Sequence, residues 1–262
     1  MKKLLLLLST GALLSAAHAQ TTTPTTGHIQ YEAAQKVNPG QMRVMVNGQE
    51  VKPGSPDYPT DISDVHNYSV TVSFAGGYAR EERQDGALRT TVEGGPGAVP
   101  QMTNLGKPFE EVVYVSVPDN QLSTVVSVKK GETTTTYRSD RPLTQAAGWQ
   151  NTNQTRKIAG YTCRKATVPF KDQTYTIWYT TELPFTYSPV RELLPAKGVV
   201  LALESPREQF RASKIDLKAV AESTVRPAEK AQTVTPDELK DLKEKARADF
   251  RLKLLEGENG RP

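Results

Sequence analysis

The sequence predicts a mainly β fold with one C-terminal helix, built as an antiparallel curved sheet, a sandwich or an open half-barrel. Three observations carry that expectation. Short alternating apolar runs recur between Gly27 and Val225, at spacings of roughly 8–15 residues. Turn-forming groups fall between them: Asn47-Gly48, Asp85-Gly86 and Pro118-Asp119-Asn120. One helical pattern, opened by its own capping signal, closes the chain.

The first segment is read as an address. Lys2 and Lys3 precede the short apolar runs Leu4–Leu8 and Ala12–Leu14. Ala17-His18-Ala19 then supplies the small residues that a signal peptidase reads. Residues 1–19 are expected to be a cleavable secretory signal, with the product periplasmic or secreted after a cut near Ala19. Gln20 follows, not the cysteine a lipid anchor needs. No later run approaches the roughly 20 apolar residues of a membrane span, so the product is not expected to be membrane-spanning. Residues 20–26 form a polar, Thr-rich leader expected to be disordered, and 27–225 the β-rich domain.

Within that domain the elements follow in order. Gly27–Val37 and Met42–Val46 read as strands, and Asn47-Gly48 as a hairpin turn. Residues 52–66, rich in Pro, Asp and Ser, read as a loop. Tyr68–Phe74 alternates cleanly, with Tyr68, Val70, Val72 and Phe74 on one face. Gly76-Gly77 interrupts it, and Ala87–Glu93 is expected to pair after Asp85-Gly86. Gly94–Pro108 reads as a loop. Glu111–Val117 and Leu122–Val128 flank the Pro118 turn, and Thr133–Tyr137 follows Gly131. Arg156–Ile158, Tyr161–Val168, Tyr175–Thr180, Val199–Leu203 and Phe210–Val225 complete about ten or eleven strands. Residues 226–234 read as a linker. Thr235-Pro236-Asp237-Glu238 is a capping box, and Leu239, Leu242, Ala246, Phe250 and Leu254 then form one apolar stripe. That predicts an amphipathic helix over 235–256, packed on the sheet.

Composition excludes several classes. The formal charge is +4, of which Lys2 and Lys3 supply two, and the basic residues are scattered, so no nucleic-acid partner is expected. A lone cysteine, Cys163, leaves no internal disulfide to form. The sequence lacks G-x-S-x-G and G-x-G-x-x-G, and Gly94-Gly95-Pro96-Gly97 runs on to Pro100 without the helix a phosphate cradle needs.

The stretch after Trp149 is the densest in pattern. It reads Lys157-Ile158-Ala159-Gly160-Tyr161-Thr162-Cys163-Arg164-Lys165-Ala166, then Ile177-Trp178-Tyr179-Thr180-Thr181-Glu182-Leu183-Pro184. Ser188-Pro189 and Leu193-Leu194-Pro195-Ala196-Lys197-Gly198-Val199-Val200 follow. This block of about 55 residues resembles the GLPGLI family, also called Porph_ging, of secreted proteins, as does the Gly27–Tyr31 opening. It is similar to a divergent member: Ser-Pro stands where that family has Gly-Pro, and the naming hexapeptide has an altered glycine pattern. The resemblance implies export and no established activity. A looser similarity, to periplasmic lipid- and lipoprotein-carrier folds, implies a curved sheet with a helix in its concavity.

Several residues are candidates for chemistry. Tyr175, Trp178, Tyr179 and Phe185, with Tyr187, form the densest aromatic cluster, either the lining of a pocket for an apolar ligand or the core of the sheet. Cys163 is the reactive-thiol candidate, but a nucleophile needs a base, and after the leader only His28 and His66 remain. Asp61, Asp64 and His66 stand close in sequence, yet no second His or Cys follows at ligand spacing. Met42 and Met45, three apart in a strand, face opposite sides. No catalytic set, metal site or cofactor is expected. The sequence therefore points to an exported, non-enzymatic envelope protein that binds an apolar ligand or another envelope protein. The alternative is a thiol-dependent or redox enzyme centred on Cys163.

Overall fold

A computed structural model describes residues 25–37, 43–59, 63–84, 88–92, 101–228 and 230–259. The leader readings at residues 1–19, and most of 20–26, lie outside these residues. So do Met42, Asp61, the Asp85-Gly86 turn and Gly94–Pro100. The described residues form β1 (Thr26–Lys36), β2 (Arg43–Val46), β3 (Gln49–Val51), β4 (Val65–Ala75), β5 (Tyr78–Gln84), β6 (Leu88–Val92), β7 (Gln101–Asn104) and β8 (Glu110–Ser116). Next come β9 (Gln121–Lys130), β10 (Thr133–Pro142), β11 (Gln150–Ile158), β12 (Tyr161–Phe170), β13 (Gln173–Thr180), β14 (Val199–Glu204), β15 (Glu208–Asp216) and β16 (Gln232–Thr233). The helix α1 (Pro236–Asn259) ends them.

The fold is mainly β with one C-terminal helix, as the alternation predicts. Twelve strands form one sheet in the order β11-β12-β13-β14-β15-β1-β4-β5-β8-β9-β10-β16. Every named pair in it is antiparallel except β10 with the short β16. A second sheet has the order β3-β2-β6-β7. Tight hairpins set the register. Asn47 and Gly48 both take positive φ and join β2 to β3. Ala159-Gly160 joins β11 to β12, and Lys171-Asp172 joins β12 to β13, again with positive φ throughout. Such left-handed pairs match the right-handed twist of the flanking strands.

The large sheet rolls over on itself. Lys171 and Arg141, on β10, stand about eight strand-steps apart in the sheet order. In a flat sheet, at about 4.8 Å per step, that is roughly 40 Å. Yet both line one cleft. The fold is thus sandwich-like, with its inner face filled. The filling is residues 181–198, between β13 and β14. Leu183, Phe185, Tyr187 and Leu193 are all buried there. Phe185 stacks on Phe74 of β4 with ring centroids 3.9 Å apart. On the far side the Ala146 N–H donates to the Glu192 carbonyl at 2.7 Å, and the Gln145 amide to the Leu194 carbonyl at 2.6 Å.

Helix α1 covers another part of the sheet. Leu239 and Ala246 pack with Val126 and Val128 of β9. Glu238 accepts from the Thr235 N–H at 2.8 Å, and Thr235 Oγ1 accepts from the Glu238 N–H at 3.2 Å, which closes the capping box. No helix among the described residues is long and apolar enough to cross a membrane.

Candidate functional site

The site begins with a strand that carries four charges in a row, Arg80–Arg83. β5 reads Tyr-Ala-Arg-Glu-Glu-Arg-Gln, and its period of two sends Arg80 and Glu82 one way and Glu81 and Arg83 the other. The outer pair is an ion pair with N–O 2.7 Å. The inner pair faces the filling segment. Glu81 is only 1% exposed. It is hydrogen-bonded by the Tyr187 hydroxyl and paired with Arg191 at 2.5 Å and Arg83 at 2.8 Å. A short 3-10 turn, Arg191–Leu193, fixes Arg191, and Leu193 pins that turn in the core. Arg83 Nη2 and Arg191 Nη1 both donate to the Pro189 carbonyl, at 3.2 and 3.0 Å. Burial alone would push the Glu81 carboxyl up. Arg191 and Arg83 beside it, with the hydrogen bonds from Arg191 and Tyr187, more than reverse this and hold it at about 2. Burial, and then the Glu81 charge, push the Tyr187 hydroxyl well above its ordinary range. Glu81 is therefore a fixed anion and Tyr187 a fixed donor, not a proton-transfer pair.

A groove of about 560 Å³ opens above this cluster. Register places Glu81, Val113 of β8 and Thr124 of β9 in one row across its floor. One wall is the filling segment at Pro189–Glu192, and the other carries Phe109 and Arg247 of α1. Glu111 on β8 pairs with Lys243 of α1 at 2.7 Å, which ties the helix wall to the sheet. Arg141 pairs with Glu192 at 3.4 Å, which ties the other wall to β10. The lining is mixed, with Phe109, Val113, Leu122 and Val190 set among charged groups, and it can hold an extended ligand by hydrogen bonds and charge.

Of the described residues singled out from sequence, His66 lines the groove and the others lie elsewhere. Tyr175 is buried, and its hydroxyl donates to Glu208 at 2.7 Å. Phe185 is buried against Phe74. Trp178 is buried beneath the Arg156 guanidinium, 4.1 Å from its ring centroid. Tyr179 meets Trp149 edge-on, and its hydroxyl donates to Asn151 at 3.0 Å. These four pack into the sheet, and none lines the groove. Tyr187, from the same cluster, alone joins it to the Glu81 group. Cys163 is fully buried, and burial, reinforced by Glu182 against the pull of Arg156, pushes its thiol up to about 11. His28 Nδ1 engages Ser73 Oγ at 2.9 Å, and His66 sits against Tyr68. Among the described residues no group of three or more His, Cys, Asp or Glu could hold a metal.

Sequence reasoning missed Glu81, Arg83, Arg191 and the groove's outer cations. One signal was available. A strand flanked by apolar partners that carries charge on both faces must bury charge on one, and β5 is such a strand.

A family model described as N-glycanase peptide, N-terminal domain, matches residues 100–241. Two solved structures of PNGF-II, in P21 and C2 space groups, are each 14% identical and cover 85% of this chain. Their TM-scores are 0.49 and 0.51, and the match covers 34% and 33% of those chains. The C2 likeness is one of fold. The chain thus spans about a third of the solved chains it matches. No curated protein matches it. These findings correct the GLPGLI reading. The Lys157–Ala166 pattern that suggested it is the chemistry of a hairpin, with Ala159-Gly160 at positive φ between two strands. Leu193 closes the 3-10 turn Arg191–Leu193 of the filling segment, and Gly198, at φ +104°, leads into β14. The model's match covers more than half of the sequence, so the chain belongs to the family of N-glycanase peptide N-terminal domains.

Proposed function

We propose that the chain is an exported, non-enzymatic binding module of this family, cut near Ala19 and delivered to the periplasm or beyond, whose groove holds an extended polar ligand. The observation that carries the reading is the pair of tied walls. Arg191 is locked on Glu81, and α1 is locked on Glu111, so the groove is preformed and needs no ordering on binding. The name of the family, N-glycanase, favours a glycan as the ligand. An apolar ligand is less favoured, since the rings of Tyr175, Trp178, Tyr179 and Phe185 are taken up by the core or by neighbouring side chains. The buried, high-pKa Cys163 does not favour the thiol-enzyme alternative. Hydrogen exchange with a pool of N-glycans released from glycoproteins tests the reading. Protection is expected at β8, β9 and residues 189–192. Protection confined to other elements, or none, overturns it.

A further inference from the structure

The charges in the groove do not cancel. Its lining carries Arg83, Lys107, Arg141, Lys171, Arg191 and Arg247 against four carboxylates. Each carboxylate is already engaged. Glu81 holds Arg83 and Arg191, Glu111 holds Lys243, Glu192 holds Arg141, and Glu208 accepts from Tyr175. Lys171 and Arg247 have no ion-pair partner among the described residues. Their charged groups lie over aromatic rings, Lys171 4.9 Å from the Phe170 centroid and Arg247 5.2 Å from that of Phe109. A guanidinium resting on a ring keeps its N–H edge free for an oxyanion. The Lys171 turn has positive φ at both central residues, which holds the lysine on a tight, fixed hairpin.

We infer that the groove is a binding site for an acidic oligosaccharide, its carboxylate or sulfate group met by Lys171, Arg247 and the Arg83–Arg191 pair. This rests on the reading of the groove as a glycan site. The floor favours a sugar over a peptide. It is the face of a sheet in which β5, β8 and β9 each have a strand on both sides, so no edge is open there for a peptide to add as a strand. The engaged carboxylates of Glu111, Glu192 and Glu208 still accept hydrogen bonds from sugar hydroxyls, which an acidic peptide such as hexaglutamate lacks.

Calorimetry on the purified protein tests it, with a disialylated biantennary N-glycan, its desialylated counterpart, a heparin-derived tetrasaccharide and hexaglutamate as probes. The sialylated glycan is expected to bind roughly tenfold tighter than its counterpart at low salt, with the advantage shrinking at about 0.3 M salt. Lys171→Ala and Arg247→Ala, both at exposed positions, each remove several-fold of that advantage. Arg251→Ala, which deletes the same charge from the same helix off the groove, leaves it unchanged. Tighter binding of the heparin fragment assigns the oxyanion as sulfate, and tighter binding of the sialylated glycan assigns it as carboxylate. Equal binding of the two N-glycans with no heparin binding overturns the acidic ligand and leaves the groove reading standing. Hexaglutamate binding as tightly as the sialylated glycan overturns the sugar class. No sugar binding at all, with groove amides unprotected, overturns both.

Discussion

Replacing Glu81 by Gln tests the buried charge cluster directly. Glu81 sits at about 2 in the folded chain, against an ordinary value of 4.5. That difference corresponds to roughly 3 kcal/mol of stability at neutral pH. The sign follows from the direction. The folded value is the lower one, so the contribution is complete above the unfolded value and is lost as pH falls through 4.5 toward 2. Glu81→Gln removes the charge but keeps the shape, and leaves Arg191 and Arg83 facing a neutral amide. Breaking one side of a buried pair costs about 3–5 kcal/mol, in keeping with the first figure. Urea unfolding followed by circular dichroism, at pH 6, 4 and 2, measures it. The gap between wild type and Glu81→Gln is expected to be about 3 kcal/mol at pH 6 and to close almost fully at pH 2, where the wild-type carboxyl takes up its proton. Adding Arg191→Met to Glu81→Gln removes a stranded cation and recovers part of the loss. A gap under about 1 kcal/mol at pH 6, or one that stays constant with pH, would refute the idea that this ion cluster holds the groove wall.

Three further outcomes are expected. Native Cys163 resists iodoacetamide at pH 8, because a thiol at about 11 is thiolate in only about one molecule in a thousand, and it labels quickly only in denaturant; fast native labelling restores the reactive-thiol reading. Gly198→Ala costs at least about 2 kcal/mol in thermal or urea unfolding, since φ is +104° and a Cβ would lie 2.3 Å from the Thr180 carbonyl oxygen; an unchanged midpoint excludes that close approach. Thr235→Ala costs about 1 kcal/mol and speeds hydrogen exchange in the first turn of α1; no change in exchange there means the capping box is not closed in solution.

Much of the fold was legible because local rules and tertiary demands agreed. Tyr68–Phe74 alternates and becomes the inner strand β4, and Thr235–Glu238 caps α1 where the capping box placed it. Where they disagreed, strands went unread. β5 carries four charges in a row, Arg80–Arg83, and its apolar support comes from the single Ala79 and from Val113 and Val115 across the ladder. The first six residues of β11, Gln150–Thr155, are exposed on an edge, so nothing apolar repeats along them. β7 falls in the Gly/Pro-rich stretch and β16 in the expected linker, both too short for a period to show. Conversely, Phe210–Val225 reads as one strand, but β15 stops at Asp216.

The site was less legible than the fold for a topological reason. Its charged groups come from β5, the stretch before β8, β8, β10, the β12–β13 turn, the segment before β14, β15 and α1. No two of these elements bring more than neighbouring residues of one chain stretch, so spacing in sequence carries no signature. They meet only because the sheet rolls and residues 181–198 fill it. That filling also accounts for where part of the aromatic cluster lies. Phe185 and Tyr187 belong to a segment whose apolar residues must be buried for the sheet halves to close on each other. Their ring area is spent on closure, and Tyr187 reaches the site only through its hydroxyl on Glu81. On the proposed reading, a ligand at the groove meets the charged rim that closure leaves exposed, and charge and hydrogen bonds lead its recognition.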